Sequence, residues 1–299
     1  YIFFRHVPIE NKNYKILSKE FFILMNNWFM IFFLGVVLIG TLYPIFLDTL
    51  TGDKISVGPP YYNFILAPFV IPLLFLMTSG PQYKWITSEK KNFFNIVLFL
   101  SIFLFMGVFF VIKQNSLMMN LILFFSIYLI IQTIFDFYET LKNRSINLSR
   151  VISHLGFGLL IFFISINHIF SQESNFNLRL GEVKETKNYI IEFEDLRKSS
   201  GNNYKSIIGQ FKISNKKNSF DENLNPEIRI YNQPQTVTYE ASINSGFFSD
   251  TYLTMSNISD SDIFNIKFQR KPFMNFIWIS VLILSFGGVI NFFNMKKRI

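Results

Sequence analysis

Of the three histidines in the sequence, His154 is the one set where an imidazole has chemical consequences. It lies about one helical turn inside the apolar run 150–170, R-V-I-S-H-L-G-F-G-L-L-I-F-F-I-S-I-N-H-I-F. An ionisable group within a membrane span is costly unless it faces the protein interior, so such a residue reads as functional by default. Gly156 and Gly158 follow at once. Glycines on a helix let a flat group or another helix approach the backbone closely. A neutral imidazole beside small residues suits an axial ligand to haem iron. It equally suits a histidine hydrogen-bonded between helices, with the glycines serving packing. His168 stands fourteen residues further on. On a straight helix that is about 21 Å at ~1.5 Å per residue, too far for both rings to bind one metal. His168 reads as an interfacial side chain, and His6 as a solvated one.

The other candidates are weaker. Asp136, at the inner end of a span, reads as an interfacial charge rather than a proton relay. Asn26 and Asn27 read as donors between helices. Gly58-Pro59-Pro60-Tyr61-Tyr62 lies in a loop predicted over 48–63. Its prolines stiffen the backbone and its tyrosines give an amphipathic surface, either as an aromatic-belt connector or as a docking or cofactor-positioning element. There is no cysteine, hence no disulfide, thiolate nucleophile or sulfur ligand. No nucleotide loop, HExxH or Ser-His-Asp pattern is present. The outer carboxylates alternate with basic residues as on a solvated face.

The elements that must position His154 are membrane helices. The chain is 50% hydrophobic and only 16% charged, against about 25% charged in soluble domains. Apolar runs of eighteen or more residues predict a polytopic α-helical membrane protein. About six transmembrane helices are expected, over 21–47, 64–80, 93–112, 117–137, 151–170 and 273–293. A small β-rich extracytoplasmic domain stands between the last two. The organisation is thus a membrane domain over 1–170, the β-rich domain over 171–271, and a final helix with a basic tail over 272–299. Within the polar region, Tyr189-Ile-Ile-Glu-Phe-Glu alternates apolar and acidic residues, and 207–213, 227–231, 236–240 and 263–268 read as further short strands, with Gly/Asn/Ser turns between them.

Charge sets the expected topology. The polar region 171–270 has twelve Lys/Arg and thirteen Asp/Glu, so the excess positive charge lies beside the helices. The segments 1–20, 81–92 and 138–150 and the C-terminus together hold thirteen Lys/Arg, whereas the short loops of the other side hold only Lys54 and Lys113. Both termini are therefore expected on the cytoplasmic or matrix side and 171–271 on the opposite side. The same distribution argues against nucleic-acid binding. Tyr1 stands first and no signal-peptide pattern follows. An N-terminal portion of a longer protein is expected to be missing or encoded elsewhere.

Several strings resemble one family in order along nearly the whole chain. They are Asn26-Asn27, Gly40-Thr41-Leu42-Tyr43-Pro44, the specific string Thr51-Gly-Asp-Lys-Ile-Ser-Val-Gly-Pro-Pro-Tyr-Tyr-Asn63, and Ser153-His154-Leu155-Gly156. In the polar region they continue with Gly201-Asn-Asn-Tyr204, Tyr239-Glu-Ala-Ser-Ile243, Asp250-Thr-Tyr-Leu253 and Lys271-Pro-Phe273, then Trp278 and Gly287-Gly288. Together they resemble the C-terminal half of CcmF, the cytochrome c haem lyase subunit.

The resemblance implies covalent attachment of haem to CxxCH apocytochrome c by thioether bonds, with haem delivered by a haem chaperone within the cytochrome c maturation complex. It implies a b-type haem with His154 as one axial ligand. The second ligand, and the tryptophan-rich loop for the substrate haem, belong to the family's N-terminal half. The implied site is the bacterial inner membrane or the mitochondrial inner membrane. Two rival readings remain: a non-enzymatic assembly module that docks partners, and a transporter, against which the nearly uniform Phe, Leu, Ile and Val of the helix centres count.

Overall fold

The computed structural model describes residues 18–53, 55–83, 94–112, 116–142, 148–216, 221–257 and 262–296. His6 and most of the basic loop residues counted above lie outside them. The described chain forms α1 (Lys19–Thr51), α2 (Pro59–Ser79), a 3₁₀ turn (Gly80–Gln82), α3 (Phe94–Ile112), α4 (Leu117–Lys142) and α5 (Leu148–Phe170), then ten strands, then α6 (Met274–Lys296). Five helices are long and apolar enough to cross a membrane. The third span expected from sequence corresponds to α3, whose apolar part, Asn95–Phe110, is shorter than the others.

The loop expected over 48–63 is much shorter, because helix runs in from both sides. α1 continues to Thr51, where Gly52 at φ 77° closes it and donates its N–H to the Asp48 carbonyl. Glycine takes this left-handed backbone without a Cβ penalty. Pro59 opens α2; a proline in the first turn lacks only an N–H that would have had no helical partner. Tyr61 and Tyr62 therefore belong to α2. Their rings meet edge to face, 5.1 Å apart, and lie against Gly40 of α1. A Cβ on Gly40 would stand 2.7 Å from the Tyr62 hydroxyl oxygen.

By packing, the described residues divide into two compact units, one holding the helices up to Ser165 and from Ser280 onward, the other Ile166–Ile279. In the helical unit α4 is central. It packs on α2 and α3, and Leu73, Leu74, Met77 and Leu129 are buried together with Phe157 and Ile161 against them.

The second unit is a β-sandwich. One sheet has the order β1 (Gln172–Leu178), β10 (Phe264–Pro272), β9 (Ser249–Asn257), β8 (Ser242–Ser245). The other has the order β2 (Val183–Glu185), β3 (Tyr189–Ser200), β4 (Tyr204–Asn215), β6 (Glu227–Tyr231), β7 (Thr236–Glu240), with β5 (Asp221–Leu224) also on β4. The alternation read from sequence sets the faces. Tyr189, Ile191 and Phe193 are buried, while Glu192 and Glu194 are exposed. Ile191, Phe193 and Phe211 from one sheet meet Leu253, Met255, Ile266 and Phe268 from the other in a single apolar core. At the surface, Lys267 and Gln269 of β10 hold the Glu173 carboxylate of β1 below the ordinary carboxylate range.

Candidate functional site

His154 sits on α5 against the start of α1 and the end of α2. Its ring lines a groove of about 120 Å³ with Lys19, Phe22, Ile23 and Asn26 of α1, Leu76 and Met77 of α2, and Gly80 and Pro81 just beyond. Arg150, one turn earlier on α5, completes the wall. The local sequence explains this placement. The apolar residues of α1 and α2 supply flat hydrocarbon walls, and Gly80-Pro81 ends α2 without adding a bulky side chain to the floor. Lys19 and Arg150 reach the groove from the first turns of α1 and α5.

Asp136 corrects the expectation of an interfacial charge. It is buried, with 5% of its side chain exposed, and its Oδ2 lies 2.5 Å from Nη2 of Arg150. A carboxylate on α4 thus holds the guanidinium next to His154. Buried charges survive in low dielectric only when paired in this way. Nearby, Gln82 donates its amide Nε2 to Tyr128 Oη and to Gln132 Oε1, each at 2.9 Å, which ties the end of α2 to α4. Sequence reasoning did not find this polar cluster. Gln82 follows the end of α2, Tyr128 and Gln132 are ordinary residues inside α4, and no spacing rule links positions some fifty residues apart.

The glycines beside His154 have separate tasks. A Cβ on Gly156 would meet the backbone of α6, 2.5 Å from the Leu284 nitrogen and 2.8 Å from its Cα. Gly287 answers from α6, where a Cβ would stand 2.7 Å from the Ser153 backbone nitrogen. The Ser149 hydroxyl donates to the Gly287 carbonyl at 2.8 Å, sealing the same crossing. Gly158 turns instead toward Leu129 and Ile130 of α4. Helix association in a bilayer depends on such close backbone approach. Gly156→Val is therefore expected to destabilise the helical unit by about 1–3 kcal/mol or more, since backbone cannot rotate away. Gly35→Val, in open space on α1, serves as the neutral control. Thermal unfolding in detergent measures both.

His168 is not brought to this site; it is exposed in the last turn of α5. Asn26 lines the groove, whereas Asn27 is exposed. Among the described residues, no group of three or more His, Cys, Asp or Glu side chains could hold a bare metal ion. Among the described residues none hydrogen-bonds the His154 ring. A single imidazole, apolar walls and the neighbouring Lys19 and Arg150 are side chains of the kinds that hold an iron porphyrin: a ring nitrogen for the metal, hydrocarbon for the macrocycle, cations for its carboxylates.

Comparison with known proteins shows what the chain is similar to. Residues 169–272 match the domain described as the CcmF C-terminal beta-sandwich. The cytochrome c-type biogenesis protein CcmF of Pseudomonas aeruginosa is 24% identical over 295 residues, covering 94% of this chain and 45% of that protein. CcmF of Escherichia coli is also 24% identical, covering 96% of this chain and 45% of its own length. The chain is similar to the CcmF proteins along nearly all of its length. It spans about half the length of the curated relatives it matches, and it matches their C-terminal half. The solved structure of Cytochrome c Heme Lyase CcmF superposes with a TM-score of 0.65 at 18% identity, over 92% of this chain and 46% of that one, which shows a shared fold.

Proposed function

We propose that this chain is the C-terminal part of a cytochrome c haem lyase, acting in cytochrome c maturation. The observation that carries the reading is the groove at His154: an imidazole to which no described residue hydrogen-bonds, set among hydrocarbon walls with Lys19 and Arg150 nearby, in a chain similar to CcmF along almost its whole length. In this reading His154 would be one protein ligand of a b-type haem, with the other ligand from a segment outside this chain. A haem held there would supply electron-transfer chemistry. Arg150, held by Asp136, and Lys19 meet the carboxylates. Phe22, Ile23, Leu76 and Met77 exclude water from the macrocycle.

The reaction served is addition without net oxidation. Each cysteine thiol of a CxxCH apocytochrome c adds across a vinyl group of the substrate haem. Sulfur bonds to the carbon next to the ring, and the terminal carbon takes the proton. The partners are then apocytochrome c, the haem chaperone, other maturation subunits and the family's N-terminal half. The membrane is the bacterial inner membrane or the mitochondrial inner membrane. The basic segments lie on the cytoplasmic or matrix side, and the β-sandwich, as the extracytoplasmic domain over 171–271, faces the other way.

A second reading, a docking module without a catalytic part, has one observation in its favour. Val237 and Tyr239 are about half exposed on β7, an edge strand of the larger sheet. Co-expression with the N-terminal half and a CxxCH apocytochrome separates the two. A haem-stained apocytochrome band that survives a denaturing gel is expected with the intact chain, and is expected to vanish with His154→Ala while the partners still co-purify. Unchanged covalent haem with that variant would leave only the docking role.

A further inference from the structure

The tip of the β8–β9 hairpin carries two adjacent phenylalanines, Phe247 and Phe248, exposed to 65% and 62%. Their exposure is not slack at a loop end. Phe273 donates its N–H to the Phe248 carbonyl at 2.7 Å, and Asn275 donates its amide Nδ2 to the Gly246 carbonyl at 2.9 Å. The hairpin backbone is thus fastened to the first turn of α6. The rings also meet Phe276, with centroids 5.4 Å from Phe247 and 6.1 Å from Phe248, and lie 4.9 Å from each other, edge to face.

The level of the tip follows from the helix it is tied to. α6 is apolar from Met274 to Phe293 and long enough to cross a membrane. Phe276 is two residues past its first residue, about 3 Å along the axis at ~1.5 Å per residue. Groups touching Phe276 therefore stand where the helix meets the lipid headgroups, not out in the aqueous phase. Trp278, 63% exposed, is at the same end of α6, in the position that interfacial aromatic belts occupy.

We propose that Phe247 and Phe248 form a second membrane contact, which seats the hairpin of the β-sandwich in the lipid interface beside α6. Exposed aromatic pairs are otherwise rare on a soluble surface and mark an interaction site. Here the occupant is set by continuity with a membrane helix. The contact fixes the distance of the β-sandwich from the bilayer through two points, the chain itself and the hairpin tip. It rests on the β domain and α6 alone and is independent of any ligand at His154.

The absence of cysteine in the sequence makes the test clean. Phe247→Cys and, separately, Phe248→Cys are labelled with a nitroxide in the full chain in phosphatidylcholine/phosphatidylglycerol nanodiscs. Collisions with oxygen and with a water-soluble nickel chelate are measured. Leu282→Cys on α6 gives the lipid reference and Val237→Cys on β7 the aqueous one. Expected is an oxygen-to-nickel ratio at both hairpin positions shifted from the Val237 value toward that of Leu282. A ratio at both equal to that of Val237 overturns the proposal. So does protection from both reagents, which would place a protein surface over the tip.

Discussion

His154→Ala, purified with the N-terminal partner, is expected to lose its b-type absorption bands. In this reading one of two axial bonds is removed; of the other described residues lining the groove, Asn26 is a poor iron ligand and Lys19 and Arg150 are cations, while a thioether bond from Met77 in its place would change the bands rather than preserve them. The arrangement also predicts a rescue. His154→Gly opens a ring-sized space between hydrocarbon walls, and added imidazole is expected to restore the bands in a concentration-dependent way. A purely structural histidine would show neither response. An unaltered spectrum in the alanine variant ends the ligand assignment. Asp136→Asn should keep the axial bond but loosen Arg150, so the bands persist while the midpoint potential shifts.

Phe193→Ala is expected to have the largest effect on stability. Phe193 is fully buried and stands directly across from Phe211 in the β3–β4 register. The two rings stack at 4.4 Å and 14°, and the Phe264 ring from the opposite sheet meets Phe193 edge-on at 5.6 Å. One side chain thus joins both sheets. Truncation of such a ring removes about 3–5 kcal/mol through lost transfer and an unfilled cavity. Domains of this kind have only about 5–15 kcal/mol in total. The expected fall in melting temperature of the β unit is about 10–20 °C, read by proteolysis of the sandwich in nanodiscs on heating. Room for this packing comes from Gly209, where a Cβ would stand 2.6 Å from the Phe211 ring. A fall of only a few degrees would show that the two sheets do not share the core described here.

Long apolar runs determine a helical membrane protein whatever the neighbours do, because a bilayer leaves backbone groups no partner but their own helix. The period-two alternation of Tyr189, Ile191 and Phe193 determined strand faces for the same kind of reason: it is a local property of the pleat. Strands β6 and β7 follow the sequence reading residue for residue. By contrast β1, β8 and β9 have polar or broken alternation, as in Gln172–Leu178, and exist because β10 offers a ladder to β1 and β9, and β9 in turn to β8.

The sequence also singled out His154 and its glycines, but it left their purposes open. Only the tertiary structure gives Gly156 and Gly287 to the crossing of α5 with α6, Gly158 to α4, and Asp136 to Arg150. These are pairings between residues from 14 to more than 100 positions apart, and side-chain type carries no information about which distant backbone will lie alongside. Periodicity fixes what each segment is; proximity, which gives those segments a site, is a property of the packed whole.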